Sequence, residues 1–324
     1  MPYQSLASTR IVDKVLTRVA YGFRQTGFVG DLIFPLAPVS KRKGKILTFG
    51  REEFFLHEMS RAPGAQIRQI TSDYGSSDYE LKQDAIAEKI PFEYIEEASD
   101  LPVNLTTRAT TMVMRRLALR LEVDRMALAG NIASYPVTNR LILAGASQWS
   151  DPTSNPEQAI DTAVEVIMDG CGMAPNVGIA SLRAFNSLKR HPLVRDKYKY
   201  TNANSITKEM VAKAFNLSRL EISAAKYALP ATPNTLVPVF NNSFWMGYMA
   251  GETDSPINCN PMPSPNSSID TPSFGWTYQL VDYPNIAAPW YDKTCQSWVI
   301  DGIADRRPVI AFPTAGFLFA NVAA

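Results

Sequence analysis

Apolar positions along this chain fall into two regimes: an extended first third, and a second half in which helical and strand periods alternate. Ile11, Val15, Leu16 and Val19 recur at helical spacing and predict a short amphipathic helix over residues 10–20. Gly22, Gly27 and Gly30 break that pattern into an extended arm with apolar anchors at Phe28, Ile33, Phe34 and Pro35. A basic turn from Lys41 to Lys45 leads into a strand, Ile46 to Phe49, and then into a charged, aromatic segment ending at Ala65. Between Arg68 and Glu80, the run Gly75-Ser76-Ser77 reads as a turn with strand on either side.

Residues 104–130 are the clearest single element. Asn104 or Thr106 can cap its start, and Gly130 with Asn131 supplies a stop. Leu105, Ala109, Met112, Leu119, Val123 and Met126 form one stripe, interrupted by Arg116 and broadened by Val113, Leu117 and Leu128. Arg120 with Asp124, and Glu122 with Arg125, stand at spacings that allow pairing within the helix. About 25 residues at 1.5 Å each make a rod of roughly 38 Å.

The second half reads differently. Asn155-Pro156-Glu157 opens a helix through Met168, with Ile160, Ala163, Val164 and Ile167 at core spacing, and Asp169-Gly170-Cys171-Gly172 ends it at a glycine turn. A short strand, Asn176 to Ala180, precedes a helix capped by Ser181, in which Leu182, Phe185 and Leu188 pack inward until Pro192. Thr207 starts another helix to Phe215, followed by a strand from Leu220 to Ala224. Val237–Phe240 and Phe244–Met249 read as strands around a turn at Asn241-Asn242-Ser243. Residues 258–268 form a Pro-, Asn- and Ser-rich loop, and Gly275–Val281 and Arg307–Val322 supply further strands.

Composition narrows the function classes. At 324 residues the chain exceeds what one core usually supports, so at least two packed units are expected. A net charge of +1, with 19% charged residues, excludes a global nucleic-acid-binding field. Charge is nevertheless uneven. Arg10, Lys14, Arg18, Arg24, Lys41, Arg42, Lys43, Lys45 and Arg51 face only Asp13 and Asp31, while Glu88, Glu93, Glu96, Glu97 and Asp100 form an acidic run. The basic segment is either a solvated, ion-paired surface or a face set near nucleic acid. The apolar fraction of 46% is that of a folded protein, and 23 prolines favour long irregular connections.

Candidate chemistry is sparse. His57 and His191 are the two histidines, and Cys171, Cys259 and Cys295 have neither metal spacing nor an even count. No nucleophile elbow, P-loop or paired-histidine zinc motif occurs. Glu52-Glu53 and Glu96-Glu97 are adjacent, so neither pair faces itself as an acid/base couple. The expectation is a structural protein, not an enzyme, with no catalytic residue, cofactor or metal. Arg10, Lys14 and Arg18 occupy the place of a signal peptide's apolar core, and the apolar runs are too short to cross a bilayer.

The layout of residues 22–66, arm then basic turn then strand then aromatic segment, resembles the N-terminal arm and extended loop of tailed-bacteriophage major capsid proteins with the Hong Kong 97-like fold. The rod at 104–130 resembles that family's spine helix. The segments HPLVRDKYKY at 191–200 and ITKEMVAKAF at 206–215 are similar to its axial domain. The resemblance implies an α+β fold: arm at 1–40, extended loop at 41–90, peripheral domain with the spine helix at 91–150, axial domain at 151–270, and strands at 271–324 returning to the peripheral domain.

It also implies a subunit that assembles with itself, as hexamers and pentamers, into an icosahedral head shell around phage DNA. The expected partners are a separate scaffolding protein, a portal, a decoration protein in some members, and double-stranded DNA on the inner face without sequence specificity; no membrane is involved. The product would be part of the virion, assembled in the bacterial host cytoplasm. Candidate intersubunit contacts are Phe28, Phe34, Lys41, Arg42, Lys43, Arg51, Phe54, Phe55, Glu58, Arg61, Glu96 and Glu97. Some members cross-link loop lysines to neighbouring asparagines; here the loop has no lysine between Lys45 and Lys82, so no cross-link is expected from its tip. The alternatives are an encapsulin-type compartment shell, a cytoplasmic α+β hydrolase, and a tail-tube or adaptor protein.

Overall fold

The computed structural model describes residues 27–48, 75–97, 105–198, 206–249 and 273–324, with isolated positions at 56, 59, 60 and 69. In chain order the first half gives α1 (Gly30–Ile33), β1 (Leu36–Val39), β2 (Lys43–Thr48), β3 (Gly75–Glu80), β4 (Lys82–Pro91), α2 (Phe92–Glu97), α3 (Leu105–Ala129) and β5 (Arg140–Ile142). Then come α4 (Pro156–Cys171), β6 (Val177–Ser181), α5 (Leu182–Arg190), α6 (Pro192–Lys197), α7 (Lys208–Ala214), β7 (Arg219–Ser223), β8 (Lys226–Leu229) and β9 (Thr232–Pro238). The chain ends with β10 (Ser243–Gly247), β11 (Gly275–Leu280), β12 (Asn285–Ile286), β13 (Trp290–Asp292), β14 (Ser297–Ile310) and β15 (Gly316–Ala320).

Among the described residues these strands make two large sheets and two separate ribbons. In the first sheet the order is β1-β11-β14-β12, with β4 and β13 also pairing β14. Its spine is the long antiparallel ladder of β4 on β14, from Pro91↔Ser297 to Lys82↔Arg306. The second sheet has the order β5-β15-β10-β6-β7. The ribbons are β2 with β3, and β8 with β9.

Helix α3 lies on the first sheet. Its buried face is Ala109, Val113, Met114, Leu117, Leu121, Met126 and Ala129, together with the polar Thr110, Glu122 and Arg125. Met112, Leu119 and Val123, expected inside, are only partly covered, so the true stripe is rotated towards residues whose polarity had marked them as outward. A Cβ at Gly302 of β14 would stand 2.3 Å from Val113 Cγ1, so only glycine lets the strand approach the helix this closely. Ile90, Ile286 and Ile300 complete this core with Val113 and Leu117.

The second sheet is buried on both faces along β6, β10 and β15. Trp149 meets Phe244 at 5.3 Å and Phe319 at 5.4 Å between ring centroids, and Trp245 meets Phe274 at 5.0 Å. Each such ring contributes about 1.5–3 kcal/mol by leaving water. Helix α4 starts where its sequence says it should: Asn155 accepts from the Gln158 N–H, Pro156 takes the first turn, and Gly172 closes the end at φ 69°.

Several expectations are corrected. Lys43 and Lys45 belong to strand β2, and Gly75–Ser77 are not a turn: they are the start of β3, paired with Leu47 and Thr48 in a ribbon whose backbone bonds override their turn preference. Leu182 faces solvent, and Pro192 opens α6 rather than stopping the chain, because its missing N–H suits a helix start. Val237–Phe240 and Phe244–Met249 do not flank one hairpin: β9 pairs β8, whereas β10 sits between β6 and β15. The last strand, β15, enters the second sheet, so residues 271–324 return to the long-helix sheet only through β11–β14. The helix expected at 10–20, Phe49 and the loop at 258–268 lie outside the described residues.

Candidate assembly surfaces

The arm is tied to the long helix by buried polar groups. Val29 and Gly30 N–H donate to Glu122 Oε1 at 2.9 and 3.0 Å, and Gly30 also reaches Oε2 at 3.1 Å. One turn on, Arg125 Nε donates to Thr277 Oγ1 at 2.8 Å, and its Nη1 pairs with Asp31. Thr277 Oγ1 in turn donates to Phe34 O at 2.9 Å, joining arm, helix and β11. Gly30 is required by space, since a Cβ there would lie 2.5 Å from Glu122 Oε2. Burial raises the Glu122 carboxyl above its ordinary value, while the two N–H groups and Arg125 pull the other way. Nearby, burial lowers the Arg306 guanidinium to about 10, with Arg125 pushing in the same direction.

Sequence reasoning missed this clamp. It took Glu122 and Arg125 as a possible pair within the helix, although their spacing also sets them beside Met126 and Ala129. Of the expected pairs, Arg120–Asp124 is present at 3.0 Å.

The candidate contact residues separate sharply. Phe34 is fully buried, 5.7 Å from the Phe274 ring, so it is a core anchor of its own subunit and not an intersubunit contact. Phe28 is half-buried. Lys41 is exposed, and its carbonyl accepts from Tyr79 Oη at 3.2 Å. Arg42 pairs within the subunit with the buried Asp305 at 2.7 Å, and Lys43 pairs with Glu80 on the facing strand at 2.6 Å. Glu96 and Glu97 end α2. Arg51, Phe54, Phe55, Glu58 and Arg61 lie outside the described residues. Beside them, Leu56 and Met59 are 96% and 81% exposed, which leaves apolar surface uncovered on the single chain.

Of the residues with potential chemistry, His191 and Cys171 are buried, and Cys295 is exposed. His191 is buried between α5 and α6, with Nε2 3.2 Å from both Ser154 Oγ and Asp151 O, while Nδ1 has no partner to orient the ring as a base. Burial raises the Cys171 thiol, whose Sγ contacts Met173 O at 3.4 Å. His57 is outside the described residues. No cluster of metal-ligating side chains occurs among the described residues, and no helix there is long and apolar enough to cross a membrane.

Four similarities to known proteins bear on what such a chain is for. The family described as phage major capsid protein E matches residues 58–243. The major capsid protein of Burkholderia phage BcepMu is 30% identical over 224 residues, covering 69% of this chain and 72% of that one. The crystal structure of a phage-related protein from Bordetella bronchiseptica RB50 superposes with a TM-score of 0.78 at 32% identity, covering 97% of this chain and 98% of the other. At the level of fold alone, the capsid of cyanophage P-SCSP1u matches with a TM-score of 0.58 at 11% identity, over 92% of this chain and 89% of that one.

Proposed function

Because the chain belongs to the phage major capsid protein E family, we propose that it builds the icosahedral head shell that encloses the phage genome. It is a shell-forming capsid protein, a component of the virion, and its first partner is another copy of itself. The finer reading is a Hong Kong 97-like subunit. In it the clamped arm, the β2–β3 ribbon and the α3 sheet form the arm, loop and peripheral parts, and the β5-β15-β10-β6-β7 sheet forms the axial part.

The observation that carries this reading is the clamp of the arm on α3. Glu122 and Arg125 hold residues 29–31 and so fix the root of the arm on the body, which is what a segment meant to reach a neighbour requires. The ribbon β2–β3 supports it, since an isolated two-stranded ribbon is marginally stable in water and gains from cover by a second subunit. Pentamers and hexamers, a separate scaffolding protein, a portal, a decoration protein and assembly in the host cytoplasm belong to the same proposal. So does packaged DNA held without sequence specificity: a near-neutral chain suits a container better than a DNA-binding protein.

Purified particles composed of this chain test the reading. Nuclease-protected double-stranded DNA inside them is expected. Particles filled instead with a protein cargo would move the chain to the compartment-shell alternative, which the family and its sequence-similar relatives do not favour.

A further inference from the structure

Residues 126–150 carry a single charge, Arg140, in a chain of which 19% is charged. That charge is turned back on its own segment, with Arg140 Nη1 donating to Ile132 O at 2.8 Å. The stretch is nevertheless a surface: Val137 is 77% and Ile142 59% exposed, and Leu141 is exposed beside them. Leu141 and Ile142 lie on β5, the strand at one edge of the second sheet, which pairs only with β15 among the described residues. The opposite edge strand, β7, is guarded by charge, with Glu221 held by Lys208 at 2.7 Å and Arg219 at 3.3 Å.

Directly after β7 the chain enters the β8–β9 hairpin, residues 226–238, which again carries one charge, Lys226. Leu229 and Leu236 are exposed on it, and the hairpin pairs with no other strand among the described residues. Two exposed apolar elements, both depleted of charge as interface centres are, therefore stand at β5, one end of the strand order, and in the chain directly after β7, the other end. Two unlike patches of one subunit that meet between copies make a head-to-tail contact, which gives a ring where the rotation between copies closes. We propose that the β5 flank of one copy docks on the β8–β9 hairpin of the next copy within a ring of subunits. Nucleic acid does not fit either surface, because neither offers the cations that phosphate contacts need.

The proposal rests on the reading of the chain as a shell subunit, and the test separates the two. Two variants of the full chain are made: Leu141→Lys with Ile142→Lys on the edge, and Leu229→Glu with Leu236→Glu on the hairpin. Both sites are exposed, so far-ultraviolet circular dichroism and melting of the isolated subunit should match the unmodified chain. Each variant alone should lose at least tenfold in rings and shells, read by native mass spectrometry and sedimentation. Mixed one to one, they should recover hexamers of alternating composition, because the lysine edge then meets the glutamate hairpin and the unmodified edge meets the unmodified hairpin.

Unchanged assembly by either variant overturns the proposal, and so does loss in both without recovery on mixing, which would place the two elements in separate contacts. If a charge variant fails to fold, Ile142→Thr and Leu236→Thr replace it; unchanged assembly by these would count equally against the docking. An unmodified chain that never forms rings or shells would defeat the function reading instead.

Discussion

Around the long helix, buried charges decide where the arm sits; in the five-stranded sheet, interlocked aromatic rings do that work. Glu122, Arg125 and Arg306 are each nearly inaccessible and hold backbone or side-chain partners from distant segments. Trp149, Phe244 and Phe319 hold one another, and Phe317 joins them through Phe319, with no charge among them. The difference teaches what each region is for. Apolar packing supplies most of the stability and tolerates small shifts, whereas a buried ionic clamp adds little net energy but admits one register only. A shell subunit benefits from both: a firm body, and an arm whose root, residues 29–34, is fixed on it.

The largest effect should come from the aromatic side. Phe319→Ala removes a ring that touches Trp149, Phe244 and Phe317 and should cost about 3–5 kcal/mol in denaturant unfolding of the isolated subunit. A loss below 1 kcal/mol would mean the rings are not the stabilising core. On the polar side, Gly30→Ala forces a methyl against Glu122 and should cost about 1–3 kcal/mol. Its signature should be local: amide protection is lost at residues 29–36 while α3 keeps its protection. Uniform loss across both sheets would show that the clamp and the body are one cooperative unit.

A smaller effect is expected from pH. Burial raises Glu122 above its ordinary value of 4.5, so the folded chain holds that proton more tightly than the unfolded chain does. Stability from this group is present below the unfolded value and is lost as the pH rises through the folded one. The unmodified chain should therefore lose stability relative to Glu122→Gln, whose amide does not titrate, as the pH is raised from 4.5 towards neutrality. A relative gain in stability over that range would reverse the sign assigned to the buried carboxyl. Least of all, Lys43→Ala should leave the melting temperature of the subunit unchanged, because its pair with Glu80 is solvent-exposed on both sides.

How much of this was legible in the sequence follows the same division. Helix α3 was expected at 104–130 and runs from Leu105 to Ala129, and the Asn155, Ser181 and Thr207 caps are all in use. These signals are local, so the sequence carries them in full. The rotated face of α3 was not legible, because Glu122 and Arg125 are buried by partners more than 90 residues away in the arm. Phe34 was misassigned for a related reason: an aromatic residue in an arm looks the same whether Phe274 covers it or a neighbour does. Serines at 76 and 77 hid a strand because its partner, β2, is 27 residues earlier at the closest pairing, Thr48 with Gly75. The run from Met126 to Ser150, with Arg140 as its one charge, was present in the sequence throughout, yet its meaning depends on β5 being an edge.

The most direct test of the central claim is sedimentation velocity of the recombinant full-length chain over a concentration series, with and without a scaffolding protein, and negative-stain imaging of every fraction. The account predicts that mass leaves the monomer boundary with rising concentration and enters ring-sized and closed shell-sized species. A single monomer boundary at every concentration, under both conditions, would contradict it.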